Sequence, residues 1–409
     1  MGEALFFNEA MTEKHPNWEQ AVRREAGLYS RSSDIRSEFA RDYTRVLHSL
    51  AYRRLRHKTQ VFFNTRNDHV CTRMEHVAHV ESVSYTIANA LGLNTELTRA
   101  IAMSHDLGHA PFGHTGEVIL SKLSEKYIGE KFWHEKNGLR FVDKVELLEG
   151  PDRKCHNMDL TYAVRDGIIS HCGELDVNGL KPRKEAVDLY AIEAPGQYEP
   201  YTWEGCIVKM SDKIAYLGRD IEDALTLGGI GLRDLKELYH LAGKISPDGV
   251  NTSVIMHDFI IDMVANSSPE AGIRLSEERS DFMNAVKDFN YRVIYRNHKL
   301  DYFIRYSGLV IESIFEALFE AYSGRETLRR LHSDIRQKPA FYNEFYKWLL
   351  KYCDLNGMAA QKDEYERFKN PKIYSDLSCE REYAQAILDF ISGMTDSFAI
   401  QCFEELISF

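Results

Sequence analysis

Eight of the sixteen histidines, at positions 57, 69, 76, 79, 105, 109, 114 and 134, fall between residues 57 and 134. A lone histidine on a helix is usually a satisfied structural group, but a cluster beside an aspartate is harder to explain that way. His105 and Asp106 are adjacent and open the string His105-Asp106-Leu107-Gly108-His109-Ala110-Pro111-Phe112-Gly113-His114. An ion held by imidazole and carboxylate together belongs with manganese, iron, zinc or magnesium, not with copper(I) or an iron–sulfur cluster. Successive helical side chains diverge by about 100°, so His105 and Asp106 meet one ion only if it lies between their directions. His76, on the preceding helix, is a third candidate ligand, and a fourth must come from a distant carboxylate. Asp212, in Lys209-Met210-Ser211-Asp212-Lys213, is the leading candidate. It reads equally as the N-cap of a helix whose next turns carry Tyr216 and Asp220. Arg53, Arg54, Arg56 and Lys58 stand within six residues and predict a local basic pocket for a small polyanion. No GxxxxGK[ST] loop occurs, which disfavours a phosphate cradle of the kinase or ATPase kind.

Helices must position these groups. From Thr72 to Leu91 the apolar residues Val80, Val83, Ile87 and Leu91 recur at three- and four-residue steps, with His76 on the face of Val80 and Val83. Gly92 ends that helix, and Asn94 is a fitting N-cap for the next, from Thr95 to about Leu107. Gly108, Pro111, Gly113 and Gly116 then break the chain before a helix from Glu117 to about Tyr127. Further helices are predicted at 160–171, 204–227, 254–266, 276–297, 301–322, 340–352 and 380–407. The tract 175–201, richer in Pro and Gly, predicts a loop or a short hairpin. The aromatic stripe Phe303, Tyr306, Phe315, Phe319 and Tyr322 reads as core. The fold class is all-α: residues 1–235 as a helical core with an N-terminal helical arm, and residues 236–409 as C-terminal helices packed on it. Nothing in composition marks a linker near 235, so a single domain stays open.

The chain has 409 residues, 44% hydrophobic and 28% charged, which is ordinary for a soluble globular protein large enough to bury a sizeable core. No stretch approaches the roughly 20 apolar residues of a membrane helix. Met1 to Lys14 carries Glu3, Glu9 and Glu13 and has no basic flank before an apolar run, so no secretory leader is expected. A net charge of −11 opposes a dedicated nucleic-acid binder. The seven cysteines are scattered and never form CxxC, which favours free buried thiols and a reducing cytoplasm.

Arg73-Met74-Glu75-His76, then His105-Asp106, then Asp212 resemble the H…HD…D signature of HD-domain phosphohydrolases. HD alone is a weak string, but HDLGHAPFGHTGE, from His105 to Glu117, is far more specific. It resembles the deoxynucleoside triphosphate triphosphohydrolases, the bacterial dGTPase type and its mammalian relative with a SAM domain. The resemblance spans most of the chain: Arg45 to Ser49, Tyr52 to Leu55, Lys58 to Phe62, Leu160-Thr161-Tyr162, Asp212 to Tyr216, and Asp389 to Asp396 are similar to further family blocks. It implies an HD-domain helical core in which His76, His105, Asp106 and Asp212 bind a divalent metal. It also implies that His114 and Glu117 form the catalytic pair and that His109 and His134 line the same pocket, contacting phosphate or protonating the leaving oxygen. A carboxylate three residues after an imidazole at a helix start can orient it for proton transfer.

Arg73 and Lys213 match phosphate-contacting positions, and Tyr295, His298 and Lys299 look like a further phosphate-side element. Gln60, Tyr216 and Asp220 match sugar-selecting positions, with the ring under the deoxyribose and the carboxylate on its 3′-hydroxyl. The implied reaction is hydrolysis of a dNTP, dGTP or a broader set, to deoxynucleoside and inorganic triphosphate by water attack at the α-phosphorus. The implied assembly is a homo-oligomer, a hexamer or a dimer, with a possible dNTP activator at a second site and single-stranded nucleic acid disfavoured by charge. Two alternatives stay open: an HD phosphohydrolase acting on guanosine tetraphosphate or a cyclic dinucleotide, and a nucleotide-sensing or single-strand-binding scaffold. Neither the preferred base nor the choice among Mn2+, Mg2+, Fe2+ and Zn2+ is legible.

Overall fold

The computed structural model describes residues 5–28, 34–62, 67, 69–150, 153–173, 178–243, 252–333, 339–354 and 365–408; the side chain of Lys299 lies outside the described set. The α-helices are α1 (Trp18–Ala21), α2 (Glu38–His48), α3 (Leu50–Arg54), α4 (Arg73–Leu91), α5 (Thr95–Ser104), α6 (Gly113–Tyr127) and α7 (His134–Arg140). Then come α8 (Tyr162–Ser170), α9 (Trp203–Thr226), α10 (Leu232–Gly243), α11 (Thr252–Asn266), α12 (Glu277–Asn290) and α13 (Asp301–Phe319). The chain closes with α14 (Thr327–Ser333), α15 (Ala340–Leu349), α16 (Glu380–Ser392) and α17 (Asp396–Ile407). Among the described residues the one sheet is a two-stranded antiparallel pair, β1 (Leu148–Glu149) with β2 (Cys155–His156), in register Leu148 to His156. The expected all-α class holds.

Local chemistry explains the helix ends nearest the site. Thr72 starts α4 in a capping box, its N–H donating to Glu75 Oε2 at 2.7 Å, and Gly92 ends it in the left-handed region at φ 82°. Asn94 caps α5 by accepting from Glu96 N at 3.0 Å and Leu97 N at 3.1 Å. α5 stops at Ser104, three residues short of the expected end. There the chain tightens, with Leu107 N donating to Ser104 O and His109 N to Asp106 O, both at 3.3 Å.

α4, α5, α8 and α9 pack against one another, and α2 lies on α5. The face of α4 turns between two hydrophobic clusters: Val77 and Val80 join one with Ile101, while Val83, Ile87 and Leu91 join the other with Ile207, Ile214 and Leu217. α11 and α12 complete the second cluster against α9, whereas α13, α16 and α17 close the first against α6. Phe315 is buried in that first cluster, with Phe303, Tyr306, Phe319 and Tyr322 packed against it, so the aromatic stripe is core.

Three expectations need correction. The run 380–407 is two helices, because the chain breaks after Ser392 and Thr395 caps α17 by accepting from Phe398 N at 3.2 Å. The run 276–297 ends as an α-helix at Asn290 and widens into a single π turn, Tyr291–Tyr295. The helix expected from Glu117 begins four residues earlier, at Gly113, and holds Gly116 within its first turn. The described part of 175–201 is a loop, one of the two expected forms, with the short turn Leu189–Ala191 and no strand pair within it. Residues 174–177 lie outside the described residues.

Candidate metal and phosphate site

His105 is the C-cap of α5, and its ring is fixed from behind: Nδ1 donates to Ala102 O at 2.7 Å. That bond leaves Nε2 as the bare lone pair, the tautomer a metal needs. Nε2 is buried and has no hydrogen-bond partner. It faces Asp106 Oδ1 at 3.5 Å and Asp212 Oδ1 at 3.9 Å. From α4, His76 Nε2 approaches Asp212 Oδ1 at 2.9 Å and Asp106 Oδ2 at 3.8 Å. Ligands bound at about 2.1 Å around a tetrahedral or octahedral ion are separated by roughly 3–3.5 Å. The four donors and the orphaned imidazole nitrogen therefore fit a divalent cation. Burial pushes both carboxyls toward the neutral form. His76 and His105 outweigh it for Asp212, and His109, His105 and Arg73 outweigh it for Asp106, so both sit well below the usual carboxylate range.

Asp212 does not open a helix. α9 begins at Trp203 under the cap Thr202, whose hydroxyl accepts from Gly205 N at 3.0 Å. The N-cap alternative for Asp212 is therefore excluded, because an aspartate in mid-helix has no free backbone N–H to cap.

A second layer of polar groups adjoins the first. Arg73, 5% exposed, reaches Asp106 Oδ2 at 3.0 Å and His109 Nε2 at 2.9 Å through Nη1. His109 Nε2 lies 2.9 Å from Asp106 Oδ1, and its ring stacks on His134 with centroids 3.8 Å apart. Glu117, on the first turns of α6, serves two histidines. Its Oε2 meets His114 Nδ1 at 3.2 Å, while Oε1 accepts from His134 N at 2.9 Å and lies 3.1 Å from His134 Nδ1. The His114 side chain is 84% exposed and that of His134 is 7% exposed, so one ring is open to solvent and the other is enclosed. Burial lowers the pKa of His134, but the carboxylates of Glu135 and Glu117 more than reverse this and push it up to about 9.

On the outer turns of α9, Asp220 is 2% exposed and accepts a hydrogen bond from Tyr295 Oη, while its Oδ1 is buried without a partner. Burial pushes the Asp220 carboxyl up to about 7. Gln60 Oε1 is likewise buried without a partner. Lys213 and Tyr216 line a small cavity of about 50 Å³ with Met210 and Leu275. His298 is exposed in the turn His298–Leu300, and among the described residues no hydrogen bond or ion pair joins it to the histidine cluster. The expected grouping of Tyr295 with His298 thus divides, Tyr295 going to Asp220.

The expected basic pocket also divides. Lys58 is buried and donates to the carbonyls of His109 and Ser392, Arg54 pairs with Glu146 Oε2 at 3.0 Å, and Arg53 and Arg56 are exposed. A short helix fans consecutive side chains about 100° apart, so four cations close in sequence do not converge. Sequence reasoning missed His171, Glu135 and Cys172. His171 ends α8 with its ring centroid 4.9 Å from His105; its Nδ1 donates to Ile168 O at 2.8 Å and its Nε2 is buried without a partner. Glu135 Oε2 lies 3.4 Å and Cys172 Sγ 3.6 Å from the His134 ring. A histidine at a helix end carries no periodic signal, and only the approach of α8 to α5 brings it in. Two concavities of about 580 and 570 Å³ adjoin one another around Trp348, Lys351, Arg367 and Phe390, and none of the clustered histidines lines them.

A model of the HD domain matches residues 73–217, which include His76, His105, Asp106 and Asp212. Among proteins of known name, the chain is 32% identical over 381 residues to a deoxyguanosinetriphosphate triphosphohydrolase-like protein of Desulfatibacillum aliphaticivorans, covering 91% of this chain and 88% of that one. It is 30% identical over 374 residues to the protein of the same description from Caldanaerobacter subterraneus subsp. tengcongensis, covering 91% and 86%. The corresponding Rickettsia bellii protein is 28% identical over 392 residues, covering 92% and 93%.

Proposed function

Because this chain carries an HD domain and belongs to the family of deoxyguanosinetriphosphate triphosphohydrolase-like proteins, we propose that it hydrolyses deoxynucleoside triphosphates, dGTP or a broader set, to deoxynucleoside and inorganic triphosphate. The observation that carries this reading is the convergence of His76, His105, Asp106 and Asp212 around a buried imidazole nitrogen that has no protein partner. These four would hold the divalent cation, which supplies Lewis-acid polarisation of a phosphoryl oxygen and a more acidic water.

The remaining groups have separate tasks. Water attacks the α-phosphorus, the bond from phosphorus to O5′ breaks, and the water oxygen leaves with the triphosphate. One proton must come off the water and one must reach O5′. Glu117 orients both His114 and His134, so a single carboxylate serves two imidazoles able to move those protons. His109, stacked on His134, lines the same wall. Arg73 offers a planar guanidinium to phosphate oxygens, exchanging its bonds to Asp106 and His109 for the ligand's. Lys213 and Lys299 are the further cations of the proposal, with His298 as another phosphate-side group. The unpaired Oδ1 of Asp220 is an acceptor for a sugar hydroxyl, held by Tyr295, with Tyr216 on the same helix and Gln60 as the other sugar-side group. A homo-oligomer, a dNTP activator at a second site and a cytoplasmic setting complete the proposal; no helix among the described residues is long and apolar enough to cross a membrane.

The decisive test incubates the protein with each dNTP and with Mn2+, Mg2+, Fe2+ or Zn2+ in turn, following inorganic triphosphate. Triphosphate release from at least one dNTP is expected. Its absence throughout, with turnover of guanosine tetraphosphate or a cyclic dinucleotide instead, would transfer the chain to another HD activity.

A further inference from the structure

The segment Asp389 to Asp396 stands out in the sequence but has no part in the chemistry above. Its last residue reaches the catalytic loop. Asp396 opens α17 and is 5% exposed, yet it does not cap its own helix, a task Thr395 performs. Its carboxylate goes instead to partners 284 and 337 residues away: Oδ1 accepts from Phe112 N at 2.8 Å, and Oδ2 accepts from Thr59 N at 2.9 Å and from the Thr59 hydroxyl.

Both partners bear on the site. Phe112 lies in the left-handed region, φ 64° and ψ 22°, and Gly113 follows at φ 57°. A bulky residue is uncommon there, and such a conformation persists only where the surroundings over-determine it. This turn separates His109 from His114 and Glu117. Thr59, the other partner, passes its carbonyl to Arg73 Nε at 3.3 Å, and Arg73 continues to Asp106 and His109. The neighbouring Lys58, 3% exposed, donates to the carbonyl of His109 and to Ser392 O at 2.9 Å. Two buried ionisable side chains thus tie the end of α16 and the start of α17 to both ends of the loop 109–112.

We propose that Asp396 and Lys58 are positioning residues. They hold the strained turn at Phe112 so that His109, on one side, and His114 with Glu117, on the other, keep their register with His105 and Asp106. The C-terminal helix pair is on this reading part of the active site's frame, although it contributes no reacting group. The inference rests on the assignment of those three residues to the reaction.

Two variants test it. Asp396→Asn keeps size and one acceptor oxygen but turns an amide donor toward Phe112 N or Thr59 N; Lys58→Met keeps the stem and removes both donated bonds. A displacement of about 1 Å at a reacting group costs on the order of a hundredfold. For both variants we expect kcat to fall by that order, KM to stay within about threefold, and bound metal to equal that of the wild type. Hydrogen exchange should quicken in peptides covering 107–116 and stay unchanged in those of α9. Unaltered kcat, or exchange that quickens equally across α4, α5 and α9, overturns the proposal, the second result meaning a merely structural role. If the wild type itself releases no triphosphate from any dNTP, the functional reading fails on that ground. The exchange pattern then decides the positioning alone: quickening confined to 107–116 supports it, and unchanged or uniform exchange overturns it.

Discussion

At the scale of single residues, the argument turns on which nitrogen or oxygen is left free. His105 Nδ1 is committed to Ala102 O, and Nε2 is buried with nothing to bind. The cost of an unsatisfied buried polar atom, about 1–3 kcal/mol, is repaid when a cation occupies the site. Asp106→Ala removes a carboxylate from that shell and frees Arg73 and His109, so both metal content and turnover should be lost, as read by elemental analysis after dialysis and by triphosphate release. Glu117→Gln should separate the two properties. It leaves His76, His105, Asp106 and Asp212 intact, so metal stays, but with one acceptor oxygen in place of two it can no longer orient His114 and His134 together, and turnover should drop by about 10²–10⁴-fold. His114→Ala should also abolish or sharply reduce turnover with metal retained, while leaving His134 gripped by Glu117. Loss of metal in either variant would sink the division of roles. The four candidate ligands were proposed from residue type and spacing, with Asp212 balanced against an N-cap reading, whereas the His114–Glu117 pair came from the family resemblance, its spacing of three residues only making it sensible. His171 was not legible, because its closeness to His105 comes from α8 packing on α5 and from nothing in its own neighbourhood.

At the scale of elements, what was legible is what local chemistry decides. Gly92 and Asn94 end one helix and start the next through bonds made within a few residues, and both were foreseen. The break after Ser392 was not, since Gly393 itself has ordinary helical dihedrals, φ −78° and ψ −9°, and the second helix is set by the Thr395 cap and by long-range bonds of Asp396. The N-cap alternative for Asp212 conflicted with the helix expected at 204–227, which already held Asp212 in mid-helix: Ser211-Asp212 looks like a cap, but the true cap lies at Thr202. The loop between α5 and α6 adds a packing constraint. Gly108 passes so close to α7 that a Cβ there would sit 2.1 Å from Gly138 N and from His134 O, both backbone atoms. Neither can swing aside, so Gly108→Ala must part the loop from α7 and should destabilise the protein by at least about 2–3 kcal/mol. Chemical denaturation reads this as a lowered midpoint; a variant matching the wild type within about 1 kcal/mol would contradict the close approach.

At the scale of the whole molecule, the N-terminal arm, the α4–α5 turn and α9 meet at one carboxyl. Glu204 is fully buried, and its Oε1 accepts from Met11 N and Asn94 N, each at 3.0 Å, while Oε2 has no partner. Burial outweighs these two bonds and pushes the carboxyl up to about 7, against 4.5 for an ordinary glutamate. A folded-state pKa above the unfolded one fixes the sign. Below the unfolded value both states carry the proton and folding incurs no charge penalty. As pH rises from about 4.5 the unfolded chain releases its proton while the folded chain retains it, and stability falls until pH passes the folded value near 7. The shift corresponds to roughly 3 kcal/mol. Glu204→Gln keeps the acceptor for Met11 and Asn94 but cannot ionise, so its stability should not fall with pH on this account. Other buried carboxyls, Asp220 and Asp223 among them, titrate in the same direction, so the quantity to measure is the difference between wild type and variant in urea unfolding from about pH 5 to about pH 8. That difference should move in favour of the variant as pH rises to about 7 and then level off. Parallel curves would mean that Glu204 keeps an ordinary pKa, and hence that water reaches the joint between the arm and the core.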